Sequence, residues 1–201
     1  MREPSTPEAV GAEAAASPIE LSRALEDAIA ENREQPNDRQ RAYEAAAQLP
    51  DDQTADYAFA RAALAGRLAE NRGLGAGKLV TEAERWARLT LERDPTYDGG
   101  AATRMLGTLY VMAPGRLVEH GDAEDGLSML ERLVAERPED PRNHLRLAEA
   151  LVFLGDTDQA KAPLCRALDG RAALRGDEQR LLASLVKDVG GEAELRCASG
   201  T

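Results

Sequence analysis

One feature constrains this chain more than any other: a helical hydrophobic period, interrupted at short intervals by proline, glycine and Asn-Asp breaks, that runs from Leu21 to Val189. Leu21, Leu25, Ala28 and Ile29 form the first apolar stripe, with Ser17 and Pro18 placed as N-cap and first-turn proline. Pro36-Asn37-Asp38 breaks that helix, and a second over 39–49 ends at Pro50-Asp51-Asp52. An Ala-rich helix over 54–71 reaches the glycine cluster Gly73, Gly75 and Gly77, and its partner follows over 81–92, with Trp86 and Leu89 on one face. The spacing predicts further helices over 102–112, 123–136, 142–154, 158–168 and 177–189. About nine helices on short connections make antiparallel neighbours, so the expected fold is an all-α array of helical hairpins.

Composition narrows what such an array can do. The chain has 201 residues, enough for one buried core, and aromatics at 3% suit helix packing better than a β-sandwich. Its 36 acidic and 25 basic residues give a net charge of -11, which repels phosphate backbones and anionic lipid. Nucleic acid is therefore not an expected partner. No run approaches the roughly 18 apolar residues of a membrane span, so direct membrane insertion is not expected either. The expected organisation is a flexible tail over 1–17, one helical domain over 18–190 and a C-terminal tail over 191–201.

Cys165 and Cys197 lack CxxC spacing, and Cys165 sits on an apolar helix face where packing is the expected role. A bridge between them would instead imply an oxidising compartment. The Ala-, Pro-, Glu- and Ser-rich start resembles the tether that follows a lipoprotein signal. Two locations stay open: cytoplasmic if Met1 is the true start, periplasmic or lipid-anchored if an upstream signal was removed.

The hairpins also resemble one another. In the clearest unit, 141–172, Leu147-Ala148 and Leu151 take large-small-large positions, Gly155-Asp156 makes the turn, and Ala160, Leu164 and Ala167 face inward. This pattern resembles the tetratricopeptide repeat, in which small residues let neighbouring helices approach. The preceding unit carries Leu106-Gly107, Tyr110, Gly121-Asp122, Leu130, Leu133 and Pro138, but its inner connection, 113–120, is expanded. The pair before it expands similarly around Gly73 to Lys78. The two expanded loops are expected to project from one edge.

The run Tyr97-Asp98-Gly99-Gly100, Arg104, Leu106-Gly107, Tyr110, Ala113-Pro114 and Gly121-Asp122 resembles the T-component proteins of tripartite ATP-independent periplasmic (TRAP) transporters. The resemblance continues through Asn143-His144-Leu145, Leu147-Ala148-Glu149, Gly155-Asp156, Asp177-Glu178 and Leu181-Leu182-Ala183, covering about 81–183. It implies a non-catalytic scaffold that associates with a periplasmic solute-binding subunit and presents a cavity to a small hydrophobic ligand. The alternative is a cytoplasmic adaptor with no transport role.

Candidate chemistry is sparse, and neither an enzyme nor a cofactor is expected. Gly73-Leu74-Gly75-Ala76-Gly77-Lys78 lacks the strand, spacing and following Ser/Thr of a phosphate loop. His120 and His144 share no helix at ligand spacing, so no metal is expected, and His144 reads as a packed, hydrogen-bonded residue. Acidic clusters at 122–125 and 136–140 fall where carboxylates cap helices.

Mapped by the repeat resemblance, the concave groove is lined by Arg104, Thr108 and Val111 in one unit and by Arg142, Leu145, Glu149 and Val152 in the next. Pro114, Gly115, Arg116 and His120 form a partner-binding loop. Arg104 and Arg142 present rigid forks suited to a partner carboxylate, against which stands pairing with acids of the same chain.

Overall fold

A computed structural model of the chain describes residues 17–195 and 197. The expected N-terminal tail otherwise lies outside the described residues, as do 196 and 198–201 at the other end. The helices are α1 (Pro18–Ala30), α2 (Asp38–Ala47), α3 (Ala55–Glu70), α4 (Gly77–Arg93), α5 (Tyr97–Met112), α6 (Ala123–Glu136), α7 (Pro141–Leu154), α8 (Thr157–Asp169), α9 (Gly176–Asp188) and the single turn α10 (Glu192–Leu195). The described residues hold no strand.

Helix starts follow their local chemistry. Thr54 accepts from the Tyr57 amide at 3.1 Å, and Asp122 and Asp125 form a capping box at the start of α6. Pro18 and Pro141 stand in first turns, where no amide is needed. The glycine cluster becomes a 3-10 turn, Gly73–Ala76, and α4 begins one turn earlier than expected. At the start of α5, Asp98, Gly99 and Gly100 are all left-handed. A side chain at Gly100 would meet Leu133 at 2.5 Å, so glycine serves both the backbone and the packing there.

Consecutive helices pair as antiparallel hairpins, α3 with α4, α5 with α6 and α7 with α8; α1 lies beside α3, α5 beside α7 and α7 beside α9, while α5 meets the α3–α4 hairpin chiefly through α4. One core joins α5 through α10 around Leu130, Leu145, Leu151, Leu164 and Leu182. A second, around Tyr57, Trp86, Leu106 and Tyr110, joins α3 to α5.

The array closes on itself. Arg180 of α9 donates to the Ile29 and Ala30 carbonyls at 2.7 and 3.1 Å, capping the C-terminus of α1 from across the fold. Arg175 pairs with Asp27 at 2.8 Å, and Gly176 fits directly against the Ala30 carbonyl. Arg67 of α3 grips Glu26 of α1 through two bonds of 2.8 and 2.7 Å while reaching Asp177 of α9 at 2.9 Å. One guanidinium thus ties first, third and ninth helices together.

Cys165 and Cys197 are joined in a disulfide, which corrects the expectation that Cys165 merely packs. The bridge holds the chain after α9 against α8, where α10 buries Leu195.

Candidate partner-binding site

The sequence placed the groove on α5 and α7, and the structure sets these two helices in register. Arg104 donates through Nη1 to the Asn143 side-chain oxygen at 2.7 Å and lies 3.7 Å from Asp140. Arg142 holds the same Asp140 at 2.8 Å and faces Asp98 at 3.6 Å. Both arginines therefore have partners within the chain. Burial, with the neighbouring Arg142 second, lowers the Arg104 pKa to about 10.

Three of the expected groove positions are buried in the structure. Arg104 is only 8% exposed, and Val111 and Leu145 lie in the core with Leu130 and Leu147. Beside these, the partly or fully exposed positions are Met105, Thr108, Leu109 and Met112 on α5, and Arg142, Arg146, Glu149, Val152 and Phe153 on α7, so each buried position has a more open neighbour one residue along. A one-residue offset turns a helix by about 100°, enough to exchange a buried face for an open one. Thr108, Arg142, Glu149 and Val152 remain half-buried on the accessible side. Thr108 donates back to the Arg104 carbonyl at 2.9 Å, and Glu149 accepts from Arg146 at 2.7 Å.

The expanded loop is anchored through its second half, while Pro114, Gly115, Arg116, Glu119 and His120 stay exposed. Glu84 of α4, 1% exposed, accepts from the Glu119 and His120 amides at 2.8 and 2.9 Å and from the Tyr110 hydroxyl at 3.1 Å. The His120 ring nitrogen lies 3.2 Å from the same carboxylate. Thr81 donates to the Leu117 carbonyl at 3.1 Å, Leu117 packs near Gly77, and Val118 is buried. The two expanded loops thus meet on one edge, and Pro114, Gly115 and Arg116 are the exposed crest.

Sequence reasoning missed Glu84, although its register carried a signal. It falls between Val80 and Ala87 on the buried stripe of α4, where an unpaired carboxylate would be costly. His144 is buried, with Nε2 2.7 Å from the Pro138 carbonyl, as expected of a packed histidine. Among the described residues no group of three or more His, Cys, Asp or Glu is placed to hold a metal ion, and no helix is long and apolar enough to cross a membrane.

Two clefts lie away from α5. One of about 440 Å³ separates the α1–α2 turn from the end of α3, lined by Glu34, Arg39 and Arg72 among others. The other, about 120 Å³, lies between α8, α9 and α10 and is lined by Leu168, Leu182 and Val186.

Adjacent helices packed as hairpins, with small residues at their contacts, make a helical-hairpin array of the tetratricopeptide kind. A family model described as the tetratricopeptide repeat matches residues 117–169, which span the end of the pinned loop, α6, α7 and α8. No curated protein matches the chain. A tetratricopeptide repeat of this form indicates a scaffold for protein partners.

Proposed function

We propose that the chain is a non-catalytic scaffold resembling the T-component of TRAP transporters, binding a solute-binding subunit in an oxidising compartment. The observation that carries this reading is the Cys165–Cys197 bridge. Structural disulfides persist outside the reducing cytosol, which favours the periplasmic reading over the cytoplasmic adaptor. The partner-facing surface combines the accessible stripe of α5 and α7 with the crest Pro114-Gly115-Arg116 and the adjoining His120.

The test is capture from a periplasmic extract of the source organism by the oxidised chain, with bound proteins identified by mass spectrometry. Recovery of a solute-binding subunit, weakened by the exposed crest variant Gly115→Arg, where a side chain meets nothing within 4 Å, supports the reading. Recovery of cytosolic proteins alone overturns it.

A further inference from the structure

The large apolar side chains that stand exposed among the described residues are Met112, Phe153 and Leu154, and all three lie on one edge of the array. Met112 ends α5, while Phe153 and Leu154 end α7. α5 and α7 pack side by side and the Arg104–Asn143 bond joins them, so both helices end on this edge. Phe153 is 55% exposed, and Val152 beside it is half-buried.

The same edge carries the starts of α6 and α8, which set exposed Asp122, Glu124 and Asp125 on one side and Asp156 and Asp158 on the other. Glu119 of the loop adds a sixth carboxylate. Asp122 and Asp125 cap α6, and Asp158 holds Lys161. Glu119, Glu124 and Asp156 make no side-chain ion pair with any described residue, and against six carboxylates the edge sets exposed Arg116 and, in the adjoining 73–78 loop, exposed Lys78. Apolar anchors ringed by uncompensated acid define the chemistry of what fits them.

We infer that this edge docks a cationic amphipathic segment of a partner protein, its apolar stripe on Met112, Phe153 and Leu154 and its Lys or Arg side chains against the carboxylates. The inference rests on the scaffold reading and deepens it by assigning a docking edge and the chemistry of its occupant. A second copy fits poorly, because an isologous contact would set the two acidic rings against each other. An anionic lipid surface is repelled for the same reason.

The test uses a fluorescein-labelled helix-forming peptide of about 18 residues, with Leu at helical spacing and Lys elsewhere. Its counterpart keeps the Leu positions and replaces every Lys with Glu. Anisotropy titration of the full oxidised chain is expected to show the Leu/Lys peptide binding at least ~10-fold more tightly. The double variant Met112→Ser, Phe153→Ser weakens binding ~10-fold, as does Glu124→Lys with Asp156→Lys, the latter less so at high salt. Circular dichroism checks that each variant is folded.

The pair Glu136→Lys, Glu139→Lys makes the same charge change at the opposite ends of the helices and is expected to alter affinity less than ~2-fold. Equal binding of both peptides overturns the inference, as does equal weakening by the two charge-reversal pairs. Self-association in sedimentation equilibrium that Phe153→Ser dissolves also overturns it, in favour of a second copy. Should the peptide fail while a solute-binding subunit is still captured, the docking edge falls and the scaffold stands; peptide binding without that capture has the reverse meaning.

Discussion

Arg104 and Asn143, 39 residues apart, meet side chain to side chain at 2.7 Å, and both are buried between α5 and α7. Asn143 also donates to the Arg137 carbonyl at 3.3 Å, so one amide satisfies a buried cation and the end of α6. Asn143→Ala removes both services and is expected to cost about 3 kcal/mol in urea denaturation. Arg104→Met removes the charge itself and is expected to cost less, about 1 kcal/mol, because no ion is left stranded. The opposite ranking would show that Asn143 does not support the cation.

Glu84 organises the expanded loop by the same logic. Its buried carboxylate receives two backbone amides and a tyrosine hydroxyl, so Glu84→Ala leaves three donors without their acceptor. The expected loss is about 2–4 kcal/mol, with faster hydrogen exchange at Glu119 and His120. Unchanged exchange there would mean that the loop is held by Val118 and Leu117 alone.

How much of this was legible in advance depended on whether a feature is local. Pro18, Pro141 and the 122–125 acids announced helix starts, and α6 has the boundaries its sequence spacing predicts. The hairpin order likewise follows from breaks such as Gly155-Asp156. Facing residues were harder to read. On α7, residues 143–145, 147–148 and 150–151 are all buried, an arc wide enough that the pattern alone does not say where the open stripe lies. A mapping carried over from a family pattern therefore includes the buried Leu145 and omits the more open Arg146 and Phe153. The closure of α9 onto α1 left no local mark, because Arg180 bonds backbone carbonyls some 150 residues away. With only two cysteines the partner of Cys165 was legible, but whether the two sulfurs come within bonding reach was not.

The Cys165–Cys197 bridge closes a segment with a sequence separation of 32. Its loss in the double variant Cys165→Ser, Cys197→Ser is expected to cost about 3 kcal/mol, or roughly 6–12 °C in Tm. Exchange should quicken over Glu192–Leu195, which the bridge holds against α8. A reductant should reproduce the shift in the native chain and leave the double variant unmoved. Identical melting of the native chain with and without reductant would show that the thiols are unpaired in solution.

Alkaline pH tests the buried phenols. Burial, and next its hydrogen bond to Glu82, pushes the Tyr43 pKa up to about 12, and burial with the Asp56 bond raises Tyr97 as well. An unfolded tyrosine ionises near 10, so the folded chain keeps these protons longer. Their contribution is whole below about pH 10 and is lost as pH climbs towards 12. Arg104, lowered to about 10, acts in the opposite sense between that value and its ordinary 12.5, adding stability as pH rises. With two strongly raised phenols against one lowered arginine, the net slope is expected to fall. Between about pH 9 and about pH 11, the native chain should lose about half a kcal/mol more than Tyr43→Phe, solvent screening of this partly exposed phenol cutting down the full effect. Parallel denaturation curves for the two proteins would mean that Tyr43 ionises freely.

Gly107 and Gly126 carry the α5–α6 contact at backbone distance. A Cβ on Gly126 would stand 2.6 Å from the Gly107 carbonyl oxygen, and one on Gly107 would stand 2.7 Å from Leu130 Cγ and 3.0 Å from the Gly126 oxygen. Glycine inside a helix costs up to about 1 kcal/mol relative to alanine, so alanine here trades better helix propensity against a clash with a backbone that cannot give way. Gly126→Ala is expected to lose about 2 kcal/mol or more. Gly66 in α3 is the control, because a Cβ there meets nothing nearer than Met105 Cε at 4.0 Å. Gly66→Ala should therefore gain several tenths of a kcal/mol up to about 1. Denaturation midpoints moving in opposite directions would establish that closeness of approach, rather than glycine content, decides stability at this hairpin, and a stabilised Gly126→Ala would overturn the close contact.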